Sequence, residues 1–486
     1  ISCLYFRALA LVICLLSGGR NVDAFARSTA GVAVEWRRQT SQTRISSASS
    51  RAPSRPMYTT TTAASVDDAD SQPIKYRWTR PTLDIAVPAL IGMMADPLLS
   101  LMDTAFVGRV GAIELASLGA CTSIFHLAFH AFRATTTATT SLVSSALQSS
   151  PEEAKEVTQL SLSLGIVMGF SVLIGLRATG TWCLGTMGIS QTSPLFPPAH
   201  AYLNTRLWAA PPVLGIVVAE GAFRGYANTR IPLIASCVAA LINLVLDPIL
   251  MFPLGLGVTG AAAATALSQF GAAAVYAFFL NKKKMLPSRR KKIVLYGSKT
   301  TTSFNRIQVI RTILGANIAM FAKQGSLLLA WAYATSKATR LGAAHVAAHQ
   351  VALSFWLVFA LLLDGAAVSA QVLMSKSTAN LNKIRSLSKY MTKFAVAQGV
   401  ASTMLITVLG TFVPELFTKD VVIQRFLHQL MPHLAAQQVL ISLTFVLESM
   451  AAGANQFNLL AAGTTLSTLL SVLLLKGATD VTSIWS

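Results

Sequence analysis

Residues 231–280 read IPLIASCVAALINLVLDPILMFPLGLGVTGAAAATALSQFGAAAVYAFFL and contain one charged residue, Asp247. Two apolar runs, 231–252 and 258–280, are separated by a short segment rich in Pro and Gly. At a rise of 1.5 Å per residue, each run is long enough to cross about 30 Å of hydrocarbon. The stretch therefore predicts two consecutive transmembrane helices.

The composition of the whole chain extends this prediction to a polytopic membrane protein. The 486 residues are 53% hydrophobic and only 12% charged, whereas soluble domains carry about 25% charged residues. The formal net charge is +20, but the basic residues form short clusters between apolar runs, as in cytoplasmic loops, so we expect no nucleic-acid partner. The five cysteines form no CxxC motif, and we expect neither a disulfide framework nor a metal site.

The N-terminal 80 residues have the composition of a targeting segment. Residues 1–20 contain an apolar stretch, ALALVICLL at 8–16, which suits a signal sequence and is too short to span a bilayer. Residues 21–80 are rich in Ser, Thr and Arg, like an organelle transit peptide. This order, with Phe25 following Ala24, resembles the bipartite plastid presequence of algae with secondary plastids. We expect a plastid envelope protein; another endomembrane and the plasma membrane are the alternatives.

Eleven apolar spans follow, divided by one basic connector. We place the spans near 82–105, 115–146, 159–178, 202–222, 231–252, 258–280, 308–333, 345–374, 389–413, 428–452 and 456–477. The connector at 282–304 is rich in Lys and Arg and has no acidic residue, which places it on the cytoplasmic or stromal side. We therefore predict an N-terminal lobe of six helices at 81–281 and a C-terminal lobe of five at 305–486.

The two halves of the chain are related by an internal repeat. Arg109-Val110-Gly111-Ala112 recurs as Arg340-Leu341-Gly342-Ala343, at an offset of 231. Ala209–Leu214 is similar to Ala435–Leu440, at an offset of 226. The predicted fold is all-α, with two pseudo-symmetric six-helix lobes around a central cavity, the second lobe lacking its last helix. The offset places the partner of span 258–280 near 485, so we expect a twelfth apolar span after Ser486 and, because the chain starts at Ile1, further residues before it.

Ionisable side chains inside the spans are the candidate functional residues, because each costs about 2.5–3.5 kcal/mol at membrane depth on insertion scales. Asp103 lies in the first span, and Asn243 and Asp247 form an i,i+4 pair in the fifth. At the repeat offsets, these positions correspond to Ala334, Leu470 and Leu474. The acids therefore occur in one lobe only, which indicates a cation site in that lobe. The polar residues expected to line the substrate cavity are Asp96, Arg133, Gln269, Lys323 and Asp364.

Several motifs resemble those of multidrug and toxic compound extrusion (MATE) transporters. The first is LMDTAFVGRVG at 101–111; the others are EGAFRGYANTRIPL at 220–233, NLVLDP at 243–248 and LDGA at 363–366. The resemblance extends over about 81–480. It is nearest to the DNA-damage-inducible-F-like and plant plastid branch.

This resemblance implies export of small organic molecules in exchange for H⁺ or Na⁺, without a cofactor. It also implies a cation site at Asp103, Asn243, Asp247 and Thr265. The substrates would be drug-like, organic-acid or phenolic compounds, and the protein would be a monomer in contact with membrane lipid. The protein would be a secondary active transporter and not an enzyme.

Three other functions stay open at this point. A lipid or lipid-linked flippase of related two-lobe architecture would need a cationic cavity, to which Arg133 and Lys323 could contribute. An intramembrane enzyme is disfavoured because the spans contain neither an Asp-rich pair nor a His-Glu-x-x-His motif. A channel is disfavoured by the repeat of the two lobes.

Overall fold

The computed structural model describes residues 77–130, 132, 134–287, 306–378, 380–412, 414–415, 421–477 and 480–485. The signal-like and transit-like segments, apart from their last residues, and most of the basic connector lie outside these ranges. The lobe and connector boundaries given above therefore stay predictions.

The described chain is built from α-helices. They are α1 Thr79–Val110, α2 Ala112–His130, α3 Ala134–Ser149, α4 Pro151–Thr186, α5 Phe196–Leu207, α6 Ala210–Gly225, α7 Arg230–Met251, α8 Gly257–Lys282, α9 Arg306–Leu341, α10 Ala343–Ser375, α11 Leu381–Leu409, α12 Val421–Ala436, α13 Gln438–Gly453, α14 Phe457–Leu475 and α15 Val481–Trp485.

Eight helices in the described ranges are long and apolar enough to cross a membrane, and ten if each of two bent pairs is counted as one span. The first predicted span lies in α1, which has 32 residues. Large apolar side chains cover the outer surface of the bundle, and Trp182, Ile318 and Leu329 each remain 68–70% exposed. An outer surface of this kind is stable in lipid and not in water.

The internal repeat occupies equivalent places in the two halves. The first copy spans the sharp corner between α1 and α2, and the second spans the corner between α9 and α10. Gly342 has φ of +124°, a value that side-chain-bearing residues rarely adopt, so glycine suits this corner. The pairing confirms that the two lobes are pseudo-symmetric.

Two of the predicted spans are broken helices. The pair α5 and α6 is bent by 50°, and the pair α12 and α13 by 46°. Pro211 and Pro212 follow the first break, where they remove two backbone donors. The second break has Gln437 and Gln438 instead.

The lobes are joined at the end of the bundle that carries the basic connector. One buried apolar cluster contains residues of both lobes there, among them Ile85 of α1, Leu142 of α3, Ile313 of α9 and Met450 of α13. At the opposite end, the core consists of two separate clusters. One contains only N-lobe residues and surrounds Phe125, and the other contains only C-lobe residues. The lobes therefore diverge toward the outer side.

Hydrogen bonds between the lobes lie toward the same end of the bundle, the end that carries the basic connector. Gln148 Nε2 donates to the Ser375 carbonyl at 2.5 Å, and Gln371 Nε2 donates to the Thr137 carbonyl at 3.1 Å. Trp78 Nε1 donates to Ser386 Oγ at 3.1 Å. These contacts hold the connector end of the interface between the lobes together.

Candidate functional site

Three helices of the N-lobe bring the four predicted cation-site residues together. Asp103 comes from α1, Asn243 and Asp247 from α7, and Thr265 from α8. Asn243 and Asp247 are one helical turn apart, so both face the same neighbours. Helix α7 packs against both α1 and α8, which places its polar face between the other two residues.

Asn243 connects the two carboxyl groups. Its amide orientation is assigned from the surrounding hydrogen bonds, and the orientation that satisfies donors and acceptors has the nitrogen facing both acids. The nitrogen then donates to Asp103 Oδ1 and to Asp247 Oδ2, at 3.1 Å each. The other amide atom lies 3.5 Å from Thr265 Oγ1, and that hydroxyl donates to the Ala261 carbonyl at 2.9 Å.

The site is buried at one end and accessible at the other. Asp247 is fully buried and Asn243 is 1% exposed, whereas Asp103 is half-buried. Within the described part of the chain, the Asp247 Oδ1 atom has no hydrogen-bond partner. A carboxylate is an acceptor only, and a buried acceptor without a donor is costly. A proton or a bound cation would remove this cost, so the site can bind one and release it through Asp103.

The depth of the site agrees with exchange toward the outer side. Asp103 lies seven residues before the outer end of α1, and Asp247 lies four before the outer end of α7. Thr265 is eight residues after the start of α8. At 1.5 Å per residue, these side chains are about 6–12 Å below the outer helix ends, in the half of the molecule where the lobes diverge.

Of the five residues predicted to line the substrate cavity, the structure describes the side chains of Gln269, Lys323 and Asp364. Gln269 is half-buried one turn after Thr265 on α8. Asp364 is half-buried on α10, next to Gly365, which packs against Ala86 and Leu90 of α1 at the contact between the lobes. The side chain of Asp96 and the whole of Arg133 lie outside the described part of the chain.

Lys323, the fifth cavity residue, forms an ion pair within the C-lobe. Its Nζ donates to Glu448 Oε2 at 2.6 Å, and each side chain is 15% exposed. Its positive charge is therefore already balanced inside the lobe.

Sequence reasoning missed two residues beside the site, Tyr202 and Arg206 on α5. Arg206 Nη1 donates to Tyr202 Oη at 2.7 Å, and its guanidinium carbon lies 4.9 Å from the centre of the Phe125 ring. Asp103 was selected because it is an ionisable residue inside a predicted span. Arg206 meets the same condition, since Arg206 lies inside the predicted span 202–222. Within the described residues, no three His, Cys, Asp or Glu side chains form a metal-binding group.

The fold and the site define the class of this protein: an α-helical membrane transporter of two pseudo-symmetric lobes with an acid pair inside one of them. A family model described as MatE matches residues 88–249. Protein DETOXIFICATION 43 of Arabidopsis thaliana is 30% identical over 442 residues, covering 78% of this chain and 81% of that protein. Protein DETOXIFICATION 44, chloroplastic, of the same plant is 32% identical, covering 78% and 73%.

The fold is also that of solved transporters of this kind. A crystal structure of MATE in complex with MaD3S superimposes with a TM-score of 0.74 at 22% identity, covering 85% of this chain and 92% of that chain. The chain belongs to the MATE family of multidrug and toxic compound extrusion transporters. Members of this family are secondary transporters and not enzymes.

Proposed function

We propose that this protein is a cation-coupled antiporter that exports small organic molecules by alternating access. Asp103, Asn243, Asp247 and Thr265 bind the coupling cation, and the substrate binds between the lobes. The observation that carries the proposal is the fully buried Asp247, whose Oδ1 has no donor among the residues that the structure describes. Such an oxygen suits a group that exchanges a proton or a cation in each cycle.

Two carboxyl groups that share one amide donor suit H⁺ better than Na⁺. The two carboxyl groups lie 3.1 Å from the same Asn243 nitrogen, and two ionised carboxylates held this close repel each other. Protonation removes the cost of keeping two negative charges together. Pro88 and Pro97 in α1 and Pro248 in α7 provide points at which the helices can bend when the charge changes.

The division of the cores supports alternating access. The lobes are joined by apolar packing and hydrogen bonds on the cytoplasmic side and diverge on the other side. This arrangement corresponds to a state that opens outward. We expect the substrates to be drug-like, organic-acid or phenolic compounds and the transporter to work as a monomer surrounded by lipid.

The experiment is uptake into proteoliposomes driven by an imposed pH gradient, with Asp103→Asn and Asp247→Asn compared with wild type. Each variant removes an exchangeable charge, and we expect at least a tenfold loss of gradient-driven transport at equal amounts of folded protein. Asp84→Asn is the matched control, because Asp84 is also on α1 but is exposed and paired with Arg80. A sodium gradient imposed at constant pH distinguishes the two cations. Wild-type transport by both site variants would refute the assignment.

The flippase alternative is weakened by the C-lobe ion pair. It requires free positive charge between the lobes, whereas Lys323 is paired with Glu448 at 2.6 Å. Transport of a fluorescent lipid that is independent of the cation gradient would instead favour it.

We also propose a plastid envelope location. The composition of residues 1–75 supports it, as does similarity to a relative whose name includes "chloroplastic". A fluorescent fusion of residues 1–75 should reach plastids and should lose that targeting after Phe25→Ala; retention in the secretory pathway would contradict this location.

A further inference from the structure

A half-buried guanidinium group borders the apolar outer core of the N-lobe. Arg206 is held between two aromatic rings, with its guanidinium carbon 4.9 Å from the Phe125 ring centre and 5.7 Å from that of Tyr202. Both rings are almost fully buried, at 1% and 0% exposure. The surrounding cluster of buried side chains is apolar apart from Cys121 and the Tyr202 hydroxyl.

Arg206 has no carboxylate within salt-bridge distance in the described part of the chain. Its Nη1 donates to the neutral Tyr202 hydroxyl, and its Nε is buried without an acceptor. Burying a charge is costly unless an opposite charge compensates it. Cation–π contacts contribute only about 0.5–2 kcal/mol each, so they offset only part of this cost.

The acid pair of the candidate cation site adjoins the same apolar cluster. Arg206 lies over the ring of Phe125, which belongs to that cluster. The apolar cluster around Arg206 also includes Val107, one turn after Asp103, and Met251, one turn after Asp247. The cluster and the acid pair are therefore continuous with each other.

The geometry points to Arg206 as the fixed counter-cation of the Asp103–Asp247 pair, so that the site exchanges a single cation per cycle. Two ionised carboxylates and one guanidinium give a net charge of −1, and one bound cation brings the site to neutrality. Without Arg206, neutrality would need two cations. This inference rests on the proposed function and adds a positioning residue to it.

Other titratable groups border this cluster in the described part of the chain. Arg109 of α1 and Arg177 of α4 are exposed, and Glu114 of α2 is half-buried. Residues 257–275 of α8 contain none. The remaining ones are Cys121 of α2, whose Sγ donates to the Ala199 carbonyl at 3.2 Å, Cys183 of α4, and His200 of α5, which stacks on Phe196.

The test is the pH dependence of transport by Arg206→Gln in proteoliposomes. Removing the positive charge makes proton binding to the acid pair easier. We therefore expect the pH of half-maximal transport to rise by about one unit, and the coupling ratio to move from one cation per substrate toward two. Arg206→Lys keeps the charge and should keep the wild-type pH midpoint. Arg177→Gln on α4 is the matched control, because Arg177 is exposed in the same lobe.

A second measurement needs no variant at Arg206. The coupling ratio of the wild-type protein, obtained from the gradient that just balances transport, should be one cation per substrate; a ratio of two would overturn the inference. The shift caused by Arg206→Gln should also be absent when Asp103→Asn is already present. An unchanged midpoint in Arg206→Gln, with transport still lost in Asp103→Asn and Asp247→Asn, would refute only the role of Arg206. Wild-type transport in both Asp variants would refute the proposed function itself.

Discussion

Single residues show two different ways in which the molecule handles buried charge. In the N-lobe, Asp247 has a buried oxygen without a donor. In the C-lobe, Lys323 and Glu448 form a pair at 2.6 Å. At the repeat offset of 231, the position matching Asp103 is Ala334, which is fully buried. The asymmetry noticed in the sequence is thus also present in three dimensions, and the C-lobe pair needs no exchangeable cation for its charge to be balanced.

Breaking the C-lobe ion pair should destabilise the protein. Glu448→Gln leaves the Lys323 ammonium buried without a counter-charge, which typically costs about 3–5 kcal/mol. Replacing both residues by apolar ones of similar size, as in Lys323→Met with Glu448→Leu, should restore most of the stability. Thermal unfolding of purified protein in detergent measures both effects.

The control for this experiment is the exposed pair of Arg80 and Asp84, whose side chains are 93% and 57% exposed. Asp84→Asn should change stability by no more than about 1 kcal/mol. An equal loss of stability in Asp84→Asn and Glu448→Gln would show that burial of the C-lobe pair is not what matters.

At the scale of helices, each broken pair packs against a glycine of a neighbouring helix in the same lobe. A Cβ atom on Gly169 of α4 would lie 2.5 Å from the Pro211 Cα. A Cβ atom on Gly399 of α11 would lie 2.5 Å from the Val439 Cα. The two glycines are 230 residues apart, close to the repeat offset. Both bends therefore depend on close backbone contact with a neighbouring helix.

Alanine at either glycine should destabilise its lobe. The added methyl group meets backbone atoms, which cannot move aside as a flexible side chain can, so Gly169→Ala and Gly399→Ala should each cost about 1–3 kcal/mol. Gly175→Ala, also on α4, is the control: a Cβ there has no neighbour within 4 Å, and alanine favours the helix by up to about 1 kcal/mol. Equal melting temperatures for Gly175→Ala and for the variants Gly169→Ala and Gly399→Ala would contradict this account of the bends.

At the scale of the whole molecule, the contacts between the lobes at the connector end bear on the proposed alternation between outward-open and inward-open states. Gln148 donates to the Ser375 carbonyl and to Thr378 Oγ1, and Gln371 donates to the Thr137 carbonyl, all across the interface between the lobes. Replacing both glutamines by Ala removes three hydrogen bonds, each worth about 1 kcal/mol. We expect the inward-open population to increase by on the order of a hundredfold.

Spin labels at Glu152 and Asn382, in a background without native cysteines, would report this change as a longer distance between the cytoplasmic ends. Gln350→Ala is the control, because Gln350 is on α10 like Gln371 but is exposed. A distance distribution that stays the same as in wild type would show that these bonds do not hold the lobes together.

The sequence determined which segments form helices, because a membrane requires long apolar runs and their length is readable directly. It also determined the repeat and the two acids Asp103 and Asp247, since an ionisable residue inside an apolar span is rare enough to be noticed one residue at a time. Asn243 was found by its i,i+4 spacing from Asp247, and Thr265 was added to the site by the family resemblance. The break after Leu207 left a local sign in Pro211 and Pro212.

Only the tertiary structure decided the features that arise from packing between distant segments. The C-lobe bend at Gln437 has no proline beside it. It lies at the position equivalent to the N-lobe bend, and Gly399 packs against Val439 there. The pairing of Lys323 with Glu448 joins residues 125 apart, and the sequence had suggested a cavity role for Lys323. The position of Arg206 between Phe125 and Tyr202 depends on how α5 packs against α2. Helix periodicity and charge counts are local properties, whereas the partner of a buried charge is set by the three-dimensional arrangement of helices far apart in the chain.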